Sequence, residues 1–458
     1  MKMVPLPMGI MAEKDEFSQV APQNLINLYP VVTKNSKQPV TLKQTPGFTI
    51  YNTIGTSHRG TWIMNGIRYT VSGTALYKEF PLGTWTNVGT ISGTERVGMA
   101  SNDRDSGQQL IIVNGTSTAY VYTETGGLTT QTLTGPAYTV TYQDGYFIFD
   151  WAVTGKWFIS SVNDGTTYDS TEAGATNSRP DNVLAVISKK EQIWVGGEET
   201  WEIYVNTGGI DFPYEKIKEV TIDDVGLGER NTLVYNDNAL YFIGNDKIPY
   251  RTQGYELQII GSEEILQALE NIDLSQVTAF GFKWRSHFFY QVSLPTGITY
   301  RFDAKTSLWH TVRGYSLGYA PYRGASHHYF KGKHYLGDFE NGNIYELGHD
   351  ILTDNTLLIR REMITPFIHQ NGNQFKVNKI RADFQMGAGN TDAPDPVVML
   401  EFTNDGENWS TPIPAFIGKQ GERNMQAWWP SLGCHYQIAY KIWWTDSVDT
   451  ALLGLYGC

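Results

Sequence analysis

Short apolar or alternating runs, each closed by Gly, Asn or Asp, recur from about residue 58 to residue 350. Trp62-Ile63-Met64 turns at Asn65-Gly66 into Ile67-Arg68-Tyr69-Thr70-Val71. Asn-Gly between such runs predicts a β-hairpin, because both turn residues need φ > 0. Gln109-Leu110-Ile111-Ile112-Val113 likewise turns at Asn114-Gly115 toward Ala119-Tyr120-Val121-Tyr122, and Thr139-Val140-Thr141-Tyr142 turns at Asp144-Gly145 into Tyr146-Phe147-Ile148-Phe149. Further pairs follow at 192–195 with 202–205 and at 233–235 with 240–243. His287-Phe288-Phe289-Tyr290 leads to Tyr300-Arg301-Phe302-Asp303 and Leu308-Trp309-His310, and a last set covers 326–330, 334–338 and 343–347. The spacing is roughly 40 residues, the length of a four-stranded propeller blade. About seven units can be counted, six at the fewest, so a six- or seven-bladed β-propeller is predicted.

The pattern changes on either side of this series. Phe375-Lys376-Val377-Asn378-Lys379-Ile380-Arg381-Ala382-Asp383-Phe384 alternates as a half-buried strand does. Val397-Val398-Met399-Leu400-Glu401-Phe402, the run 436–444 and the run 451–456 add strands, which predicts a carboxy-terminal β-sandwich. Asn24-Leu25-Ile26-Asn27-Leu28-Tyr29-Pro30 and Thr45-Pro46-Gly47-Phe48 flank a polar loop at 33–38, which suits an extended amino-terminal arm. One helix is predicted at 262–269, where Ser262 is placed to cap and Glu263 and Glu264 sit in the first turn. The chain therefore divides into an arm with its leading strand at 1–55, the propeller at 56–352 and the sandwich at 353–458. Deleting residues 1–38 is expected to spare folding and to impair assembly onto a neighbour.

Composition narrows the functional classes. Charged residues are only 18% while aromatics reach 13%, which excludes a disordered chain. The net charge is −12 and no basic stripe is visible, so a protein that grips DNA phosphates is not expected. Two cysteines, Cys434 and Cys458, make no disulfide framework and suit folding in a reducing cytoplasm. The first ten residues, broken by Pro5 and Pro7 and followed by Glu13, lack the apolar run of a signal peptide. No apolar stretch is long enough for a membrane-spanning helix, and no stable membrane insertion is expected.

Candidate chemistry is sparse. Thr403-Asn404-Asp405-Gly406-Glu407-Asn408-Trp409 is similar to the Asp-box hairpin of sialidase-type propellers but is one residue short, and a turn capped by its own Asp explains it. Asn102-Asp103-Arg104-Asp105 opens like a calcium loop, yet the twelfth position from Asp103 is Asn114 rather than Glu. His327 and His328 are adjacent on a strand and must face opposite sides, which leaves His334 to pair with one of them at most. Asp223-Asp224 and Glu198-Glu199 read as charged turns, and Val225-Gly226-Leu227-Gly228 as a turn between blades. No zinc, P-loop or nucleophile-elbow motif occurs. No catalytic, cofactor-binding or metal-ligating residue is assigned, no cofactor is expected, and the chain is not expected to be an enzyme.

The arm's Asn27-Leu28-Tyr29-Pro30 and the run 42–48, Arg59-Gly60 before Trp62, and the runs 76–78, 97–100, 300–312, 398–410 and 431–448 form a set. In these stretches the chain resembles the packaged-DNA stabilisation or tail-hub (nozzle) proteins of short-tailed phages. The sequence departs from that pattern at Thr403, where Ser is commoner, and at Cys434-His435, which interrupts a basic run. The resemblance implies a virion tail protein made in the host cytoplasm. It would form a ring, expected as a hexamer, below the head-to-tail adaptor under the portal. That ring would extend the DNA channel without specific DNA binding, retain packaged DNA, seat a needle or plug, and carry tail fibres or tailspikes. Like charge would keep an acidic lumen from holding DNA. A carbohydrate-active propeller, which needs two facing carboxylates, and a receptor-binding propeller are the alternatives.

Overall fold

The computed structural model describes residues 2–14, 21–32, 39–105, 107–176, 179–209 and 212–458. Among them, seven blades surround a common axis, and their innermost strands begin at residues 58, 98, 140, 183, 234, 278 and 324. The first six blades are antiparallel runs of four strands consecutive in sequence, at 58–90, 98–137, 140–175, 183–222, 234–259 and 278–312. The Asn-Gly and Asp-Gly turns stand where the sequence places them. Asn65 and Asp144 adopt φ of 53° and 52°, and each joins the first two strands of its blade.

Blade 7 is built from both ends of the propeller segment. Gly324–Phe330, Lys333–Asp338 and Asn343–Gly348 supply three strands, and Gly47–Thr53 from the amino-terminal side adds the fourth. This pairing closes the ring, because it ties the start of the propeller to its end. Gly342 is required at the crossing, where a Cβ would stand 2.1 Å from the Ile54 carbonyl oxygen.

A separate apolar cluster fills each space between neighbouring blades. Met64, Tyr69, Leu110 and Ile112 pack between blades 1 and 2, and Ile111, Val121, Phe147 and Phe149 between blades 2 and 3. Trp157, Ile159, Ile193 and Val195 join blades 3 and 4, and Trp194, Trp201, Leu240 and Phe242 join blades 4 and 5. Between blades 5 and 6 the helix Glu263–Glu270 inserts Ile265 and Leu269. Polar side chains reinforce the exposed inner edges: Thr139 and Thr141 accept from the Val186 and Ser188 amides of the next blade at 3.0 and 3.2 Å. An inner strand has no neighbour on the axis side, so such bonds satisfy backbone groups that would otherwise be unpaired.

The sandwich follows in two sheets around a core that includes Leu42, Ile380, Leu400, Trp429, Ile442 and Leu452. One sheet runs Leu28–Val32, Val40–Gln44, Ala451–Gly457, Phe375–Phe384, Ala427–His435. The other is continuous with blade 6. Leu308–Val312 at the outer edge of that blade pairs in parallel with Asn24–Ile26, which pairs in turn with Arg361–Ile364 of the sandwich. The result is a single 10-stranded sheet shared by propeller and sandwich.

The amino-terminal segment is therefore woven through the molecule. Val4–Pro5, Leu28–Val32 and Val40–Gln44 belong to a sandwich sheet, Asn24–Ile26 bridges the two units, and Gly47–Thr53 closes the propeller. Deleting residues 1–38 would remove Asn24–Ile26 from inside the shared sheet, the edge strand Leu28–Val32 and the buried Met8, Leu25 and Leu28, so the expectation that folding survives this deletion is revised. The loop at 33–38 lies outside the described residues. Ala427–His435 is a strand that the sequence reading missed, since Pro430, the left-handed Ser431 (φ 57°) and Gly433 (φ 102°) break its pattern.

Candidate functional site

Polar side chains gather in this apolar frame at the axial mouth, the closing seam and the junction with the sandwich, among other places. The mouth lies where the inner strands begin. A cavity of about 380 Å³ there is lined by Glu95, Arg96, Tyr138, Glu229 and Arg230 among others. Arg96 rises from the loop before blade 2 and donates to the Ala279 carbonyl of blade 6 at 3.2 Å and to the Ala325 carbonyl of blade 7. Burial pushes its pKa down to about 10, against the attraction of Glu229. The Arg230 guanidinium lies 3.6 Å from the Tyr138 ring centroid, and Glu229 accepts from the Asn231 amide at 3.0 Å. Arg96, Arg230 and Glu229 are thus engaged by the propeller itself, and Arg96 laces blades on both sides of the axis together.

The seam lies between blades 7 and 1, where the ring closes. The Arg68 and Glu79 side chains are wholly buried and form an ion pair at 2.7 Å. The guanidinium sits among Tyr335, Trp85, Tyr51 and Phe330, with ring centroids 4.1 to 5.2 Å away. Arg68 donates to His328 Nε2 at 2.7 Å, and Tyr51 on the closing strand donates to Glu79 at 2.5 Å. Burial, helped by nearby arginines, holds the His328 imidazole well below its usual pKa and His58 down at about 3. These histidines stay neutral near pH 7, and the cluster acts as a buried staple.

At the junction, Asn27 holds φ at 56° and uses its side chain in both directions. Its Nδ2 donates to the Arg313 carbonyl of the propeller side at 2.9 Å and to the Arg360 carbonyl of the sandwich side at 2.8 Å. Its Oδ1 accepts from the Arg313 amide at 2.9 Å. Asn tolerates the left-handed region better than other non-glycine residues. That preference explains an Asn at the head of Asn27-Leu28-Tyr29-Pro30.

The residues singled out from sequence scatter over the molecule. His327 and His328 face opposite ways, as strand geometry requires: His327 bonds His334 at 2.9 Å and packs on Phe282, while His328 faces Arg68. In the Asp-box-like turn, the Asp405 carboxylate accepts from the Glu407 and Asn408 amides at 3.0 and 2.8 Å and from Asn408 Nδ2 at 2.7 Å. Asp103 accepts from Tyr142, and Asn102 and Gln109 bond each other. Leu227 bridges back to blade 5, as an interblade turn should. No group of three or more His, Cys, Asp or Glu residues is placed to hold a metal among the described residues. Arg68, Arg96 and Asn27 were not singled out from the sequence. For Arg68 and Asn27 the signal available was a charged or amide residue between apolar strand formers, whereas Arg96, after Glu95 in a Gly- and Thr-bearing loop, gave none.

A propeller laced by buried charges and fused through shared strands to a sandwich defines an all-β protein of two joined units. Both units match known family models: residues 2–352 match the β-propeller of bacteriophage P22 Gp10, and residues 360–456 match its β-sandwich. The chain belongs to the P22 Gp10 family of phage tail stabilisation proteins, which places it in the tail of the virion. No curated protein matches it. Similar solved structures include the computationally designed Ika8 protein, 11% identical, covering 75% of this chain and 99% of its own, with a TM-score of 0.41.

Proposed function

We propose that this protein is the tail hub, or nozzle, of a short-tailed phage. In this reading, copies of the chain form a closed ring, expected as a hexamer, beneath the adaptor under the portal. The ring extends the DNA channel, retains the packaged genome, seats the needle or plug, and supports fibres or tailspikes. Its work is mechanical, with no catalytic step. The observation that carries the proposal is the match of both units to one tail protein family, 2–352 and 360–456. The shared 10-stranded sheet supports it, because a part held between head and fibres must transmit load without a loose linker. Heterologous contacts around a closed ring need broad rigid faces, which an all-β block supplies.

The net charge of −12 supports an acidic lumen through which DNA moves without adhering. The division into 1–55, 56–352 and 353–458 is retained as a proposal for the assembled particle, with the strands of 1–55 shared between the other two units. A nonsense mutation in the gene, scored by electron microscopy of the particles, tests the whole reading. Heads that lose their DNA and lack a tail tip are expected. Full, tailed heads that fail only to adsorb or penetrate would overturn the hub in favour of a glycan-cleaving or receptor-binding role. A tail reconstruction showing a lumen lined mainly by Lys and Arg would refute the acidic channel.

A further inference from the structure

A second pocket opens where the inner strands end, on the face opposite the axial mouth. It measures about 440 Å³ and is lined by Lys283 and Arg285 of blade 6 and by His327, Tyr329 and His334 of blade 7. No carboxylate lines it, although the chain as a whole carries a net charge of −12. Among the described residues neither Lys283 nor Arg285 forms an ion pair. Elsewhere in the propeller, Arg68 is paired with Glu79, and Arg323 with Asp338 and Glu340.

The back wall is fixed in place. His327 Nε2 and His334 Nδ1 are hydrogen-bonded at 2.9 Å, which orients both rings. His334 packs against Trp284 and Tyr329 with ring centroids 5.0 and 4.8 Å away, and His327 against Phe282 at 5.0 Å. Arg285 stands in the tight turn of its hairpin with φ at 54°, a conformation that Asn65 and Asp144 occupy more comfortably in blades 1 and 3. Lys190 and Lys331 hold similar angles in blades 4 and 7, so strain alone does not single out this pocket; its lining does. Two facing imidazoles could suggest a metal, but two cationic side chains beside them and the lack of a third ligand argue against one.

We propose that this pocket between blades 6 and 7 binds an oxyanion, the terminal phosphate or carboxylate of a ligand. Arg285 would grip it in bidentate fashion and Lys283 would supply a second charge. Tyr329 and the one imidazole N–H that the His327–His334 bond leaves free would donate to the remaining lone pairs. The inference stands on the pocket alone and does not depend on the tail-hub reading.

Calorimetric titration of the full chain tests it, with inorganic phosphate and with glucuronate as probes at about 0.15 M salt, where diffuse surface attraction is screened. Wild-type protein should bind at least one probe saturably, and Arg285→Gly and Lys283→Gln should each weaken that binding about tenfold, as loss of one charged hydrogen bond would. Arg285→Gly suits the left-handed turn and is expected to melt no lower than wild type, so loss of binding in that variant cannot be ascribed to unfolding. Binding of phosphate alone would assign a phosphate ester, and binding of glucuronate alone a carboxylate. If wild type takes up neither probe, or if both variants bind as wild type does, the pocket is not an anion site.

Discussion

The Arg68 guanidinium has no access to water, and its charge is tolerated only because Glu79, His328 and a ring of aromatics replace the lost solvent. Removing one partner strands the other, which typically costs 3–5 kcal/mol, whereas replacing both with apolar groups is often neutral. Arg68→Met should therefore lower unfolding stability by about 3–5 kcal/mol, and Arg68→Met with Glu79→Leu should recover most of it. Urea denaturation of the three proteins checks this; a double variant as weak as the single one would show that the aromatic cage needs the cation. Asp150 poses a related question of charge. Its Oδ1 accepts from the Thr139 amide at 2.6 Å and the Tyr138 amide at 3.0 Å, yet burial outweighs these bonds and pushes its pKa from 3.8 up to about 6. Between those values the folded chain binds more protons at this site than the unfolded chain, so stability falls as pH rises and levels off above about 6. Asp150→Asn should remove this slope and exceed wild type above pH 6 by up to about 3 kcal/mol, read from denaturation midpoints across the window.

At the level of elements, the closing strand Gly47–Thr53 separates what local sequence reveals from what it hides. Turns such as Asn65-Gly66 and Asp144-Gly145 are legible because their chemistry is confined to two residues. The inner strands are legible because their apolar runs flank those turns. The partner of Gly47–Thr53 lies almost 300 residues away at Asn343–Gly348, and nothing within residues 47–53 specifies it. The same holds for Asn24–Ile26, a strand of 3 residues whose neighbours are Leu308–Val312 and Arg361–Ile364. An extended, polar-flanked segment therefore reads as an arm, although its residues are buried in two cores, Leu25 and Leu28 in one and Tyr29 and Phe48 in the other. The histidines show the same limit: strand alternation fixes that His327 and His328 face apart, but not that one meets His334 and the other Arg68. Closure can be tested at Phe48, which is 1% exposed and packs 4.6 Å from Tyr345 and 5.8 Å from Tyr322. Phe48→Ala should cost about 3–5 kcal/mol, the usual range for a buried aromatic. It should also render blade 7 the first region to exchange amide hydrogens; protection lost evenly over all blades would mean that the strand does not latch the ring.

For the molecule as a whole, the question is whether propeller and sandwich unfold as one body. Their connection runs through Asn24–Ile26, and Asn27 ends that strand by bonding both sides at once. The backbone there adds to the link, since the Asn27 amide donates to the Thr311 carbonyl at 2.9 Å and the Thr45 amide donates to the Asn27 carbonyl at 3.1 Å. Asn27→Ala would delete three buried side-chain hydrogen bonds and place a Cβ-bearing residue without local compensation at φ 56°, together about 3–5 kcal/mol. Asn27→Gly would relieve the backbone and remove only the bonds. Each unit retains its own core, so the loss should fall on their coupling rather than on either fold. Calorimetry should then show one transition for wild type, two for Asn27→Ala, and a narrower splitting for Asn27→Gly. A single transition that merely shifts downward in both variants would locate the coupling in the strand pairing and not in Asn27. In that case a tail part made from this chain would owe its stiffness to the sheet alone.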